Sequence, residues 1–278
     1  MARRRYSFDE KKIARFEKEG RGQGVGDDYH PWLTVQDVPS DGLATRVNGY
    51  KIRRQRHALS QLEAQLIRIL DWEDHVLDIR EQFPLPREAT RKIAAEMGVN
   101  HPADSVTQTD LVVTTDMLVD VFLKQRRFQV AIAVKPTEEL DRRTLEKLEI
   151  ERRYWAERRI EWRLCTEKDI PVQRAENIWW AMANRDLSGR VVAYPNFWDD
   201  CVAAVEERLR VSSTSQTIAR ELEQLEKAAG WQVGAAMTAL RFLIANKRIH
   251  IDLDQPLDSK GPIAQLHFNA MHQRGAVA

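Results

Sequence analysis

Two apolar runs, Met117 to Leu123 and Phe128 to Val134, are separated only by the polar Lys124-Gln-Arg-Arg127. Runs of strand length so closely joined read as a β-hairpin. Pro136 breaks the second run, and the charged stretch from about Thr137 to Arg159 carries Leu140, Leu145, Leu148, Tyr154 and Trp155 at helical spacing. Ile160 to Thr166 then reads as a further core strand. Upstream, Ser60 to Asp71 places Leu62, Leu66, Ile69 and Leu70 on one helical face. Val76-Leu-Asp-Ile79 reads as a short strand, and Pro86 to Met97 as a helix stopped by Gly98. Ser7-Phe-Asp-Glu10 resembles a capping box ahead of a helix that ends at Gly20. This irregular alternation predicts an α/β fold, a mixed sheet flanked by helices.

At 278 residues the chain exceeds what one core usually organises, and its character changes near residue 170. Val172 to Asn184, Phe197 to Leu209, Thr217 to Ala228 and Val233 to Asn246 all carry helical periodicity. Lys247 to Leu253 then alternates like a strand, with Pro262 to Phe268 as its partner. Helix, Gly230 turn, helix and ribbon is the outline of a winged helix-turn-helix. The expected division is therefore 1–168, a mixed-sheet domain, and 169–278, a mainly helical winged-helix-like domain. Val233 to Asn246 is too apolar for a major-groove reader, which favours a protein contact there. Trp179, Trp180 and Trp198 read as core aromatics rather than stacking platforms.

Lys+Arg 43 against Asp+Glu 42 leaves a net charge of +1, so any contact with DNA must be local. The basic start lacks an apolar segment behind it, and no apolar run reaches the ~20 residues needed to span a bilayer. The expectation is a cytoplasmic protein with no membrane partner. Cys165 and Cys201 are the two cysteines and the seven histidines are scattered, which excludes a disulfide framework or a cysteine zinc site. A bound metal would be held by carboxylate oxygens, hence a hard cation such as magnesium or manganese. The alternating Gly20, Gly22, Gly24 and Gly26 lack the Lys-Ser/Thr pair of a phosphate loop.

Asp116 at the start of one hairpin strand and Lys135 at the end of the other fall roughly opposite each other if the turn centres near Gln125 and Arg126. Glu63, on the preceding helix, is within reach of such a pair. An aspartate, a lysine and a helical glutamate suit a metal-dependent nuclease: carboxylates hold a cation against phosphate, and an ammonium orients or activates water. Each also has a plainer reading. Ser60-Gln-Leu-Glu63 is a legitimate capping box, Asp116 could be a solvated strand-edge residue, and Lys135 could guard a sheet edge.

Four phrases go further: Gly20-Arg-Gly-Gln-Gly24, Tyr29-His-Pro-Trp-Leu-Thr-Val-Gln-Asp-Val-Pro39, Leu77-Asp-Ile-Arg-Glu-Gln-Phe-Pro84 and Thr144-Leu-Glu-Lys-Leu-Glu-Ile-Glu-Arg-Arg-Tyr-Trp155. Together they resemble the TnsA family, endonuclease subunits of heteromeric cut-and-paste transposases of the Tn7-like type. The resemblance is dense from about Ser7 to Asn177 and fades beyond. It implies a restriction-endonuclease-like (PD-(D/E)XK) domain followed by a winged-helix-like one. It also implies Mg2+-dependent hydrolysis at the 5′ ends of the transposon, on the non-transferred strand, with Mn2+ able to substitute. Implied partners are transposon-end DNA, a TnsB-like DDE-type transposase that cuts and joins the 3′ ends, and a TnsC-like AAA+ ATPase regulator contacted through the C-terminal domain.

By motif, Leu59-Ser-Gln-Leu-Glu63 supplies the helix carboxylate, Thr115-Asp116-Met-Leu-Val-Asp120 the metal-binding aspartate, and Ala133-Val-Lys-Pro136 the catalytic Lys135. The Val134 backbone carbonyl joins Glu63 and Asp116 as a metal ligand, with Glu73 and Glu149 as further candidates. One departure stands out: the family usually has Gln or Glu two residues before the lysine, where this chain has Ala133. An alanine side chain cannot coordinate, so an active enzyme with a weakened second metal site is expected. The alternative is a nuclease-deficient scaffold linking the transposase to its ATPase.

Overall fold

In the computed structural model residues 7–38 and 44–268 are described, and the first regular element is helix α1 (Glu10–Lys18). Its N-cap is Asp9, whose carboxylate accepts from the Lys12 N–H at 2.7 Å, two residues after the Ser7 signal. The antiparallel pair β1 (Thr45–Asn48) and β2 (Gln55–Ala58) follows, then helix α2 (Gln61–Trp72), strand β3 (Val76–Pro84) and helix α3 (Arg87–Met97). Strands β4 (Thr114–Leu123) and β5 (Arg126–Val134) form the hairpin, and helix α4 (Arg142–Glu157) leads to β6 (Glu161–Cys165). The main sheet runs in the order β3-β4-β5-β6, antiparallel except for the parallel β5–β6 pair, so it is mixed as the alternation of elements predicts.

The hairpin is tighter than expected. Lys124 and Gln125 alone form its loop, both at positive φ (49° and 60°), the geometry whose twist matches the flanking strands. Pairing runs from Leu123–Arg126 to Met117–Ile132. One step further, Asp116 comes opposite Ala133 and not, as the looser turn implied, opposite Lys135.

Strand alternation sends Met117, Val119 and Val121, with Val130, Ile132 and Val134, to the face packed by Ala64, Leu66 and Ile67 of α2. Leu118 and Ala131 go to the opposite face, where Ile93 and Ala94 of α3 and Ile150, Tyr154 and Trp155 of α4 cover them. The first unit is thus three layers with the sheet in the middle.

Strand β3 runs five residues beyond Ile79, through Arg80-Glu81-Gln82, where each of those polar side chains meets a partner inside the fold. Arg54 Nη1 donates to Glu81 Oε1 at 2.6 Å and Arg54 Nη2 to the Ile79 carbonyl at 2.8 Å. At Gln82 the backbone leaves the strand region (φ 49°) between the pairs Glu81–Met117 and Phe83–Thr115. Its carbonyl accepts from the Trp32 N–H at 3.2 Å. A non-glycine residue held in this conformation costs on the order of 1 kcal/mol or more. The segment carrying Trp32 is laid against the end of β3 by Gly22, where a Cβ would come within 2.1 Å of the Pro84 ring.

The chain forms two compact units, Met1–Pro171 and Val172–Ala278. The second contains helices α5 (Val172–Met182), α6 (Phe197–Val211), α7 (Ile218–Ala229) and α8 (Ala235–Ala245). A two-residue ladder of β7 (Ile249–His250) with β8 (His267–Phe268) closes it, much shorter than the alternation from Lys247 suggests. Helix α8 packs against α5, α6 and α7, burying Ala235, Ala236, Ala239, Leu240, Leu243 and Ile244. Its apolar surface therefore belongs to the core of its own unit, which corrects the reading of that surface as a partner contact. Trp198 is buried against Phe197, whereas Trp179 is exposed. Among the described residues no helix is long and apolar enough to cross a membrane.

Candidate active site

Beyond the Met117–Ile132 pair, the β4–β5 ladder gives way to a side chain. The Val134 N–H donates to Asp116 Oδ2 at 2.7 Å, and Lys135 Nζ lies 3.4 Å from the same oxygen. The N–H and C=O of one strand residue leave by the same edge, so the Val134 carbonyl also faces the β4 side, where Asp116 stands. Asp116 and Lys135 open onto a cleft of about 340 Å³ that is also lined by Thr114, Thr144, Lys147 and Glu151.

Glu63 reaches this place from the first turn of α2. The Ser60 Oγ accepts from the Glu63 N–H at 3.2 Å and donates to Glu63 Oε1 at 3.0 Å. Glu63 Oε2 in turn accepts from the Leu59 N–H at 3.0 Å. The capping role and the site role thus coexist: the cap network fixes the carboxylate that faces Asp116. Replacing Ser60 by alanine should cost about 1 kcal/mol in urea unfolding.

Gln82 joins the two carboxylates. Its Nε2 lies 3.2 Å from Glu63 Oε2 and 3.5 Å from Asp116 Oδ1, while its Oε1 accepts from Thr114 Oγ1 at 3.3 Å. Nothing in the sequence periodicity singles out this residue, because its reach depends on the distorted backbone of β3.

Glu151 is the other side chain that the sequence analysis missed. It lies on the buried stripe of α4 with Leu148, Tyr154 and Trp155, a spacing that could have marked it. Its Oε1 accepts from Trp162 Nε1 at 3.0 Å, and Trp155 Nε1 donates to the neighbouring Thr115 hydroxyl at 2.7 Å.

Glu149, by contrast, sits two residues and hence about 200° around the helix from Glu151. It is paired with Arg152 and Arg153 at 2.6 and 2.8 Å, and the Arg152 hydrogen bond first, then Arg153, holds its carboxyl down at about 2. The structure leaves it outside the cluster. Glu73 is likewise separate: it caps the far end of α2, about 15 Å along the axis from Glu63 at 1.5 Å per residue. There the His75 Nδ1 lies 3.8 Å from its carboxylate, and the Lys51 ammonium donates to its carbonyl.

Burial first, and then the charge of Asp116, raises the Glu63 carboxyl to about 7. Asp116 raises the Lys135 ammonium further above its already basic range, against the opposing effect of burial. Burial, then Asp116, pushes Glu151 up to about 8. A folded-state value above the ordinary 4.5 means that Glu151 keeps a proton that the unfolded chain has released. Stability therefore falls as pH rises from about 5 to 8 and is recovered on acidification. Glu151→Gln should remove this slope, with a gain on the order of 5 kcal/mol at pH 8.5 and little change at pH 4.5. Urea unfolding of both proteins in metal-free buffer measures it.

The donor set fits a hard divalent cation. Two carboxylates with neutral oxygens nearby suffice for magnesium, which keeps several waters and takes one or two protein carboxylates. The NH2 of Gln82 already places a partial positive charge between Glu63 and Asp116. Among the described residues no group of three or more His, Cys, Asp or Glu side chains is placed so that it could hold a metal ion.

Comparison with known proteins gives concordant results along most of the chain. The family model described as "TnsA-like endonuclease N terminal" matches residues 73–167, and that described as "TnsA endonuclease C terminal" matches residues 169–253. The chain is also similar to the transposon Tn7 transposition protein TnsA of Escherichia coli. The two are 41% identical over 257 residues, covering 91% of this chain and 90% of that protein.

Proposed function

Because this chain belongs to the TnsA endonuclease family, we propose that it hydrolyses the 5′ ends of a transposon, on the non-transferred strand, as one subunit of a heteromeric cut-and-paste transposase. The observation that carries this reading is the convergence of Glu63, Asp116 and Lys135 at the end of the β4–β5 ladder. A restriction-endonuclease-like (PD-(D/E)XK) core accounts for the mixed four-stranded sheet, and a winged-helix-like unit for the α7–α8 turn followed by a small ribbon.

Glu63, Asp116 and the Val134 carbonyl would hold Mg2+ or Mn2+. Such a cation supplies Lewis-acid neutralisation of the phosphate and a water acidified toward neutral pH. The Lys135 ammonium and the Val134 N–H fix the orientation of Asp116. Lys135, kept protonated by Asp116, presents positive charge to the cleft, where a phosphate oxygen or the attacking water can take its hydrogen bond. The partners that complete the reaction are a TnsB-like transposase acting on the 3′ ends and a TnsC-like AAA+ ATPase reached through Val172–Ala278.

Strand-specific cleavage of labelled transposon-end DNA, with and without the transposase, tests the reading. Magnesium-dependent cuts confined to the 5′ ends are expected. A protein that makes no such cuts yet binds the ATPase is the scaffold instead.

A further inference from the structure

Asp116 has two cross-strand neighbours. On the β5 side stands Ala133, a buried methyl with no donor atom; on the β3 side stands Gln82, in register between the pairs Glu81–Met117 and Phe83–Thr115. The Gln82 side chain is buried, 2% exposed, and its amide nitrogen lies between one oxygen of Glu63 and one of Asp116. Two adjacent carboxylates repel each other, and the donor NH2 offsets that repulsion. The same space is the one a cation shared by both carboxylates would need, so a cation cannot enter while the NH2 points there.

The amide's other end is built for a rotation. Gln82 Oε1 meets the hydroxyl of Thr114, and a hydroxyl serves equally as donor or acceptor. Turned by 180°, Gln82 would donate its NH2 to Thr114 Oγ1 and present Oε1 toward the carboxylates, with no hydrogen bond lost at the Thr114 end. The backbone holds the side chain in place for either state. Positive φ at Gln82 and the bond from the Trp32 N–H to its carbonyl take this residue out of the ordinary strand path, and strain of this kind gathers at functional sites.

We propose that Gln82 is a switchable ligand: its amide nitrogen clamps Glu63 and Asp116 in the metal-free protein, and its amide oxygen turns onto a divalent cation held between them. The proposal rests on the metal-dependent reading of this site. Beside Glu63, Asp116 and the Val134 carbonyl, it gives the cluster a further neutral oxygen donor on the β3 side of Asp116, where Ala133 offers none on the β5 side.

Mn2+ binding to the full-length protein without DNA tests it, by counting free Mn2+ from its paramagnetic resonance signal, with metal-free melting curves as the check on folding. Gln82→Leu should weaken Mn2+ binding about tenfold, whereas Gln82→Glu, which keeps an oxygen there, should bind at least as tightly as wild type. Should Gln82→Leu fail to fold, Gln82→Met makes the same comparison. Unchanged or tighter binding in the leucine or methionine variant overturns the proposal and leaves Gln82 a clamp alone. So does an equal loss in Gln82→Glu. A wild-type protein that binds no Mn2+ at all would instead bring down the metal-dependent reading itself, an outcome distinct from both.

Discussion

Asp116→Asn should abolish 5′-end cleavage, by about a thousandfold or more, while leaving the fold intact. Asparagine keeps the volume of the side chain, and its Oδ1 can still accept from the Val134 N–H that Asp116 Oδ2 holds at 2.7 Å. What it loses is the charge. That charge is the main electrostatic partner of Lys135 and one of the two carboxylates available to a cation. Removing a group that stabilises charge developing on phosphate typically costs 10²–10³ in rate by itself, and a metal ligand acts on the nucleophile as well. The stability prediction runs the other way. Glu63 is raised partly by Asp116, so neutralising Asp116 lowers the Glu63 pKa toward its ordinary value and relieves repulsion above about pH 7. Strand-specific gels with the transposase present, paired with urea unfolding, measure both effects. An Asp116→Asn protein that cuts within tenfold of wild type would place the nuclease centre elsewhere.

The second large effect lies one residue from Gln82. Glu81 is fully buried and binds Arg54, itself buried, at 2.6 Å; its Oε1 also accepts from the His57 N–H at 3.1 Å. Glu81→Ala leaves the Arg54 guanidinium in the interior without its counter-charge. Breaking a buried pair from one side costs about 3–5 kcal/mol, far more than the net worth of the pair. The double variant Arg54→Met with Glu81→Leu should recover most of that loss, because two apolar groups need no counter-charge. Denaturant midpoints of the two variants against wild type give the comparison, and equal destabilisation in both would contradict the argument.

Much of the first unit is legible from local signals. The apolar runs of β4 and β5, the break at Pro136 and the Ser60 cap each specify their element with little help from elsewhere. The hairpin register is less legible, since a loop of two residues or of four decides whether Ala133 or Lys135 faces Asp116, and both loop lengths fit the same apolar pattern. Strand β3 is legible only to Ile79, because Arg80-Glu81-Gln82 looks solvated until Arg54, Tyr29 and Trp32 are known to cover it. On α4 the two glutamates Glu149 and Glu151 look alike in sequence. Only the packing of Trp162 and Thr115 distinguishes the buried one from the one paired with surface arginines.

The sequence by itself determined the order of elements from α2 onward, though not the β1–β2 pair, together with the change of character near residue 170 and the candidate trio Glu63, Asp116 and Lys135. Those follow from periodicity, caps and motif, which are properties of short windows. Tertiary structure alone decided that Gln82 lies between the two carboxylates, that Glu151 and not Glu149 lines the cleft, and that Glu73 lies at the far end of its helix. The reason is physical. A buried polar side chain is tolerated only where its partners converge, and the partners of Gln82 come from distant segments: Trp32 lies 50 residues before it and Asp116 34 residues after it.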